Sequence, residues 1–214
     1  MRGLFGSILI GLGLLLTACG GGGAEATDEA EMRLEQELAN TAIPPNTVVS
    51  RDGRLALQYP ESWLVRESEG LLIVANSEEA LVAETPVEGQ VIATLSGIDD
   101  STLPIYGLTA GAAPVDVLNA YVALNNAESA SQIVLAPPAA FDAGGRPAAL
   151  GTGTVGSAGA SGDAVSGAIY MIVQGEGGYG LLVVRAPEGE IAGQEATVRE
   201  LAAGVVYRAS EANN

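Results

Sequence analysis

Apolar positions change their spacing twice along the chain, and the changes divide it into three stretches. Leu4 to Leu16 is a continuous apolar run interrupted only by glycines and Ser7, too short for an ordinary membrane span. Between Ala24 and Asn40 the apolar residues Ala30, Leu34 and Leu38 recur every four positions among acids, which predicts a short helix with Asp28 and Glu29 at its N-terminus and Pro44-Pro45 beyond its end. From Thr47 onward short apolar runs alternate with turn residues, as in a folded domain rich in strands.

Within that third stretch, Val48-Val49-Ser50, the turn Arg51-Asp52-Gly53-Arg54 and Leu55 to Tyr59 predict a hairpin that places Leu55, Leu57 and Tyr59 on one face. Pro60 stops it. Strands are predicted at Trp63 to Val65, Leu71 to Ala75 and Val91 to Leu95, with a helical turn capped by Ser77 after the second. A helix is expected at Val115 to Asn125, with Pro114 in its first turn and Val117, Leu118, Tyr121, Val122 and Leu124 on one face. Further strands follow at Ile133 to Leu135, Ala148 to Val155, Val165 to Gln174 and Tyr179 to Val184, the last two joined tightly through Gly175-Glu176-Gly177-Gly178. A final helix is expected from Ile191 to Val206, with Val198, Leu201, Ala202 and Val205 as its buried stripe.

In Ala168 to Val173 and Leu181 to Val184 both alternating faces are apolar, so these strands must be covered on two sides. Hairpins imply antiparallel order, and the helices before and after the final strands can cover opposite faces. The fold class expected is therefore α+β, an antiparallel β-sheet with helices on both faces, occupying residues 46–208 and followed by a disordered tail at 209–214.

Composition narrows the setting. The 214 residues suit one domain after a leader is removed, and with 48% apolar but only 4% aromatic residues the core must be built from Val, Leu, Ile and Ala. All nine basic residues are Arg, against 26 acids, for a net charge of −17. That field repels nucleic acid and anionic headgroups and keeps an exported protein soluble.

The sole cysteine, Cys19, follows Leu16-Thr17-Ala18, with Arg2 ahead of the apolar run. This arrangement resembles the lipobox signal of bacterial lipoproteins. A small residue fits the peptidase pocket, and the thiol accepts a thioether lipid with palmitate-type chains. The resemblance implies a signal peptide at 1–18, lipid attachment at Cys19, and a Gly-rich acidic tether at 19–45 that holds the domain outside the cytoplasm. Gly20 after the cysteine is similar to the pattern that permits outer-membrane sorting where two membranes exist; with one membrane, the outer face of the plasma membrane is expected.

A second resemblance covers Asn46 to Arg208. Ser50-Arg51-Asp52-Gly53 followed by Gln58-Tyr59-Pro60-Glu61-Ser62-Trp63 resembles the opening of PsbP-like domains, and Leu71 to Glu79, the late hairpin and the final helix follow in similar order. It implies an α-β-α sandwich related to the extrinsic PsbP subunit of photosystem II, whose bacterial relatives include exported lipoproteins of unknown role. It implies no enzymatic activity. Metal binding through histidine, where members use it, is closed to a chain without histidine.

Few groups remain for chemistry. Without His, Lys or a second Cys, no Ser-His, Ser-Lys or thiol nucleophile can be assembled. Carboxylate pairs are left: Asp99-Asp100, Glu78-Glu79 and Glu188-Glu190. Ser96, Asp99, Asp100 and Asp116 offer hard oxygens to Ca2+, though in no EF-hand or repeat spacing. Gly151, Gly153 and Gly156 match Gly-x-Gly-x-x-Gly, but the following Ser157 to Gly162 has loop composition where a dinucleotide site needs a helix, so no cofactor is expected. Tyr59 and Trp63 are candidate partner-binding residues, or simply core. The leading expectation is a non-catalytic binding or assembly module in the cell envelope with an unidentified protein partner; the alternatives are a carboxylate-dependent extracellular hydrolase and a small ligand-binding lipoprotein associated with a transporter.

Cys19→Ala should leave an unprocessed precursor, read as an intact mass that retains residues 1–18. Normal cleavage with release of soluble protein would count against lipidation.

Overall fold

The computed structural model describes residues 46–68, 70–128, 131–157 and 164–209, all within one unit that begins at Pro44. The expected leader, Cys19 with Leu16, Thr17 and Ala18, the tether with its helix, residues 158–162 of the Gly/Ala/Ser segment and residues 210–214 lie outside the described residues.

Eight of the described strands form one antiparallel sheet: β3 (Leu64–Ser68), β4 (Leu71–Ala75), β5 (Ile92–Asp99), β6 (Ser131–Leu135), β7 (Ala139–Asp142), β8 (Pro147–Ser157), β9 (Ala164–Gly175) and β10 (Gly178–Ala186). Their order is β3-β4-β5-β10-β9-β8-β6, with β7 beside β6 on the same edge of β8. At its centre Leu182 stands opposite Met171 on one side and Leu95 on the other. As the two-sided apolar pattern requires, Leu95, Met171, Leu182 and Val184 are buried on one face and Ile98, Tyr170, Ile172 and Leu181 on the other.

Helices cover both faces. Helix α2 (Pro114–Glu128) buries Val117 and Leu118 against the second face, alongside a 3-10 helix over Asp100–Tyr106. Helix α1 (Glu78–Val82), whose Ala80 N–H donates to the Ser77 hydroxyl at 3.1 Å, buries Ala80 with Ile73, Ala75 and Ile92. The first face is covered by α3 (Glu195–Ala203), through Val198, Leu201 and Ala202, and by a small second sheet of β1 (Thr47–Val49), β2 (Leu55–Gln58) and β11 (Val206–Tyr207).

The N-terminal hairpin forms about the expected turn, with Thr47 opposite Gln58 and Gly53 at φ +69°. It pairs with β11 rather than with the main sheet. The expected helix from Ile191 to Val206 is shorter: a 3-10 turn occupies Ile191–Gln194, α3 ends at Ala203, and the chain bends at Gly204 to pair Val206 with Ala56. A Cβ at Gly204 would press on Gln58, whose N–H donates to the Gly204 carbonyl at 3.2 Å, so the bend needs glycine. The Arg146 guanidinium takes the carbonyls of Ala202, Ala203 and Val205, putting positive charge at the negative end of α3. Strand β5 runs to Asp99, beyond the expected Leu95, and β7 and the 3-10 helix after β5 had no periodic signal.

The sheet edge at β6 is closed by a side chain. Asn126 of α2 accepts from the Ile133 N–H at 2.7 Å and donates to the Ile133 carbonyl at 2.8 Å, standing in for a neighbouring strand. Asn126→Ala should cost about 1–3 kcal/mol, the penalty for leaving such backbone groups unpaired, measured by urea unfolding. An unchanged midpoint would overturn the role.

Candidate functional site

Two places gather polar chemistry. The first is where the ends of the domain meet. Tyr207 on β11 lies over glycines of the main sheet: a Cβ at Gly178 would come within 2.7 Å of its ring and one at Gly175 within 2.9 Å of its Cβ. Its hydroxyl donates to Asp99 Oδ1 at 2.5 Å, and Arg54 Nη2 donates to that same carboxylate oxygen at 2.6 Å and to the Tyr207 oxygen at 2.9 Å. The guanidinium also stands 5.7 Å from the ring centroid. Around it the Arg208 N–H donates to the Arg54 carbonyl, and the Glu176 N–H donates to that of Tyr207. Ala209, assigned by sequence to the tail, returns an N–H to the Glu176 carbonyl at 2.8 Å.

These contacts set the protonation states. Burial, then the Asp99 carboxylate, pushes the Tyr207 hydroxyl up to about 12. Burial works to raise the Asp99 carboxyl, but the hydrogen bonds from Tyr207 and Arg54 outweigh it and hold the group below its ordinary value. Asp99 is thus a fixed anion bound to a fixed cation, the opposite of what a general acid or a free nucleophile needs. The same grouping includes Asp52, lowered first by the Ser50 hydroxyl that donates to it at 2.6 Å.

The second place is a groove of about 280 Å³ between the β2 corner and α3, lined by Asn46, Gln58, Tyr59, Pro60, Glu61, Thr197, Glu200 and Leu201. Pro60 ends β2 and turns the chain, so Tyr59 and Glu61 face the Thr197, Glu200 and Leu201 side of α3, an i, i+3, i+4 set. Tyr59 and Trp63 are both half-buried against the first core face, and only Tyr59 reaches the groove.

The other predicted groups are dispersed. Asp99 and Asp100 adjoin in sequence but face different neighbours: Asp99 meets Tyr207, whereas Asp100 adds to the rise that burial first imposes on the Tyr179 hydroxyl. Asp100 Oδ1 is buried with no hydrogen-bond partner among the described residues. Glu78 and Glu79 are exposed in the first turn of α1, Glu188 is exposed, and Glu190 accepts from the Gly89 N–H at 3.2 Å. Of the Ca2+ set, Ser96 and Asp99 alternate in direction along β5 and Asp116 is exposed on α2. No cluster of three or more metal-ligating acids occurs among the described residues.

Gly151, Gly153 and Gly156 lie inside β8, each paired across to β9. A Cβ at Gly153 would strike the Val134 carbonyl, and one at Gly151 would lie 3.0 Å from Leu135, so these glycines admit β6 and the bend after it. Sequence reasoning missed Arg54 and Tyr207 altogether. The available signal was the glycine at Gly97, Gly175 and Gly178 on strands otherwise made of large residues, which marks close approach without naming what approaches.

No family model and no curated protein matches the sequence. Solved structures are similar at low identity. The solution structure of cyanobacterial PsbP (CyanoP) from Synechocystis sp. PCC 6803 is similar over 90% of this chain and 98% of that one, at 14% identity and TM-score 0.49. LpqN, involved in cell envelope biogenesis of Mycobacterium tuberculosis, is similar over 82% and 97%, at 13% identity and TM-score 0.41. A structure from Bacteroides thetaiotaomicron VPI-5482 is similar over 77% of this chain at 14% identity and TM-score 0.44, and this chain spans about half its length, 49%. At such identities and TM-scores the likeness says nothing of this chain's chemistry. The protein is an α+β domain whose antiparallel sheet is covered by helices on both faces. Among the described residues no helix is long and apolar enough to cross a membrane.

Tyr207→Phe should destabilise by about 1–3 kcal/mol, since it removes the donor to Asp99. The phenol's raised value stabilises the fold fully below its ordinary 10 and loses that contribution as pH rises toward about 12. Asp99, being lowered, stabilises above the ordinary carboxylate range and ceases to as pH falls through its own value. Urea unfolding at a series of pH values should therefore show the gap between wild type and Tyr207→Phe closing at both extremes; a gap independent of pH would refute a stabilising role for the Tyr207–Asp99 hydrogen bond.

Proposed function

We propose that this protein is a lipid-anchored extracytoplasmic module without catalytic activity, which binds or steadies a protein of the cell envelope through the groove between Tyr59-Pro60-Glu61 and α3. The observation that carries the reading is the groove's make-up and position. An aromatic ring and a proline form an apolar side, a helix face forms the other, and Asn46 at its rim is the point where the chain enters from the expected tether.

Its openness favours a protein segment over a metabolite. Small-molecule sites generally bury most of the ligand, whereas this groove is partly open to solvent. A groove of that kind takes a few side chains of a partner surface. The absence of His, Lys and a second Cys supports the non-catalytic part, as does the engagement of Asp99, one of the candidate acids, by Arg54 and Tyr207.

The alternative, a hydrolase working through carboxylates, needs two acids facing each other across a cleft, 5–10 Å apart by the general rule for sugar hydrolysis. The discriminating experiment is complementation of a deletion strain. Thr197→Trp, which fills the groove from α3, should abolish the cellular role while the protein stays folded and anchored. The paired substitution Glu78→Gln with Glu79→Gln, and likewise Glu188→Gln with Glu190→Gln, should leave it intact. Loss of the role in either paired variant, with Thr197→Trp active, would overturn the reading.

A further inference from the structure

The groove has a charge as well as a shape. Glu61 and Glu200 line it, no cation does, and neither acid takes part in an ion pair among the described residues. The cation of α3 nearest in sequence is turned elsewhere: Arg199 donates to Glu195 at 2.9 Å and stacks 4.9 Å from the Phe141 ring centroid. Arg146, the other guanidinium beside α3, is occupied with the carbonyls at the helix end. Two uncompensated carboxylates therefore flank the Tyr59 ring and Pro60 in a protein whose net charge is −17.

We infer that the occupant of this groove is an arginine- or lysine-bearing segment of a partner protein. The inference rests on the proposed docking role of the same groove and adds the chemistry of what docks. A long basic side chain lays its methylenes along Tyr59 and Pro60 and brings its charge to Glu61 and Glu200. The face of an aromatic ring adds attraction for that charge. The long-range field steers such a segment inward and turns away acidic surfaces, including anionic headgroups, so a protein and not the membrane surface is the partner the charge selects. Arg is favoured over Lys, because a planar guanidinium can stack on the ring and still donate to both acids.

The test uses the full-length protein in its native membrane, with a photo-crosslinking amino acid in place of Ser62, exposed beside Glu61 and outside the groove lining, and mapping of the captured peptide. Three results are expected together. The captured segment carries Arg or Lys within a few residues of the crosslink. Its yield falls roughly two- to thirty-fold with Glu61→Gln and Glu200→Gln combined, the range two exposed ion pairs span. It falls similarly as salt rises from about 0.05 to 0.5 M, as a screened contact must. The double variant keeps its thermal midpoint, since both acids are exposed. A captured segment that is apolar or acidic, a product between two copies of this chain, or a yield indifferent to both acids and salt would overturn the cationic occupant while leaving the groove a docking site. No product at all from Ser62, with crosslinking restored from a surface position away from the groove, would overturn the docking role itself.

Discussion

The structure depends on Tyr207. A sheet apolar on both faces must be covered twice, and its first face is covered in part by the two ends of the domain: the hairpin after Asn46 and the two-residue strand after α3. Neither could hold alone, since a three-residue strand and a two-residue strand bury too little to remain ordered. The Tyr207 ring lies over Gly97 and Gly178 of the main sheet, and its hydroxyl joins Arg54 of the hairpin to Asp99 of β5. One side chain thus links β11 and the turn of the hairpin to the sheet they cover. Tyr207 is buried while Arg54 and Asp99 stay partly in water, so the hydrogen bonds of the phenol, more than the ion pair, are what would be costly to lose.

That dependence explains which parts of the fold were legible in the sequence. The N-terminal hairpin, β9, β10 and α2 are written locally: alternation and an Asp-Gly turn in the first, two-sided apolar runs in the strands, a broad apolar face behind Pro114 in the helix. Strand β11 was not legible, because Val205-Val206-Tyr207 continues the helical stripe of Val198, Leu201 and Ala202 with no break except Gly204. What converts it to a strand is pairing with Ala56 and Leu55, some 150 residues earlier in the chain. Likewise, the Gly-x-Gly-x-x-Gly run could be dismissed for want of a following helix, yet its reason for being glycine lies in the Val134 carbonyl that approaches from β6. Of the candidate site, Tyr59 was visible as an aromatic beside a turn, but of the α3 residues opposite it only Leu201 was legible, as part of the buried stripe, and Thr197 and Glu200 carried no signal.

The scarcity of cations shapes the surface as much as the acids do. Where guanidinium groups occur in the described residues, several are committed to holding the chain: Arg54 to Asp99 and Tyr207, Arg146 to the end of α3, Arg185 to the Glu84 carbonyl at 2.7 Å, and Arg199 to Glu195 and Phe141. Each uses the planar fork that lysine lacks, donating to carbonyls or stacking on a ring. A chain that contains arginine and no lysine therefore places much of its positive charge in the framework, while acids such as Glu61, Glu78, Glu79, Glu188 and Glu200 stay exposed. Arg51, Arg66 and Arg199 stay exposed, but none of them lines the groove, so a partner approaching the ledge of Tyr59 and Pro60 meets Glu61 and Glu200 with no cation among the lining residues.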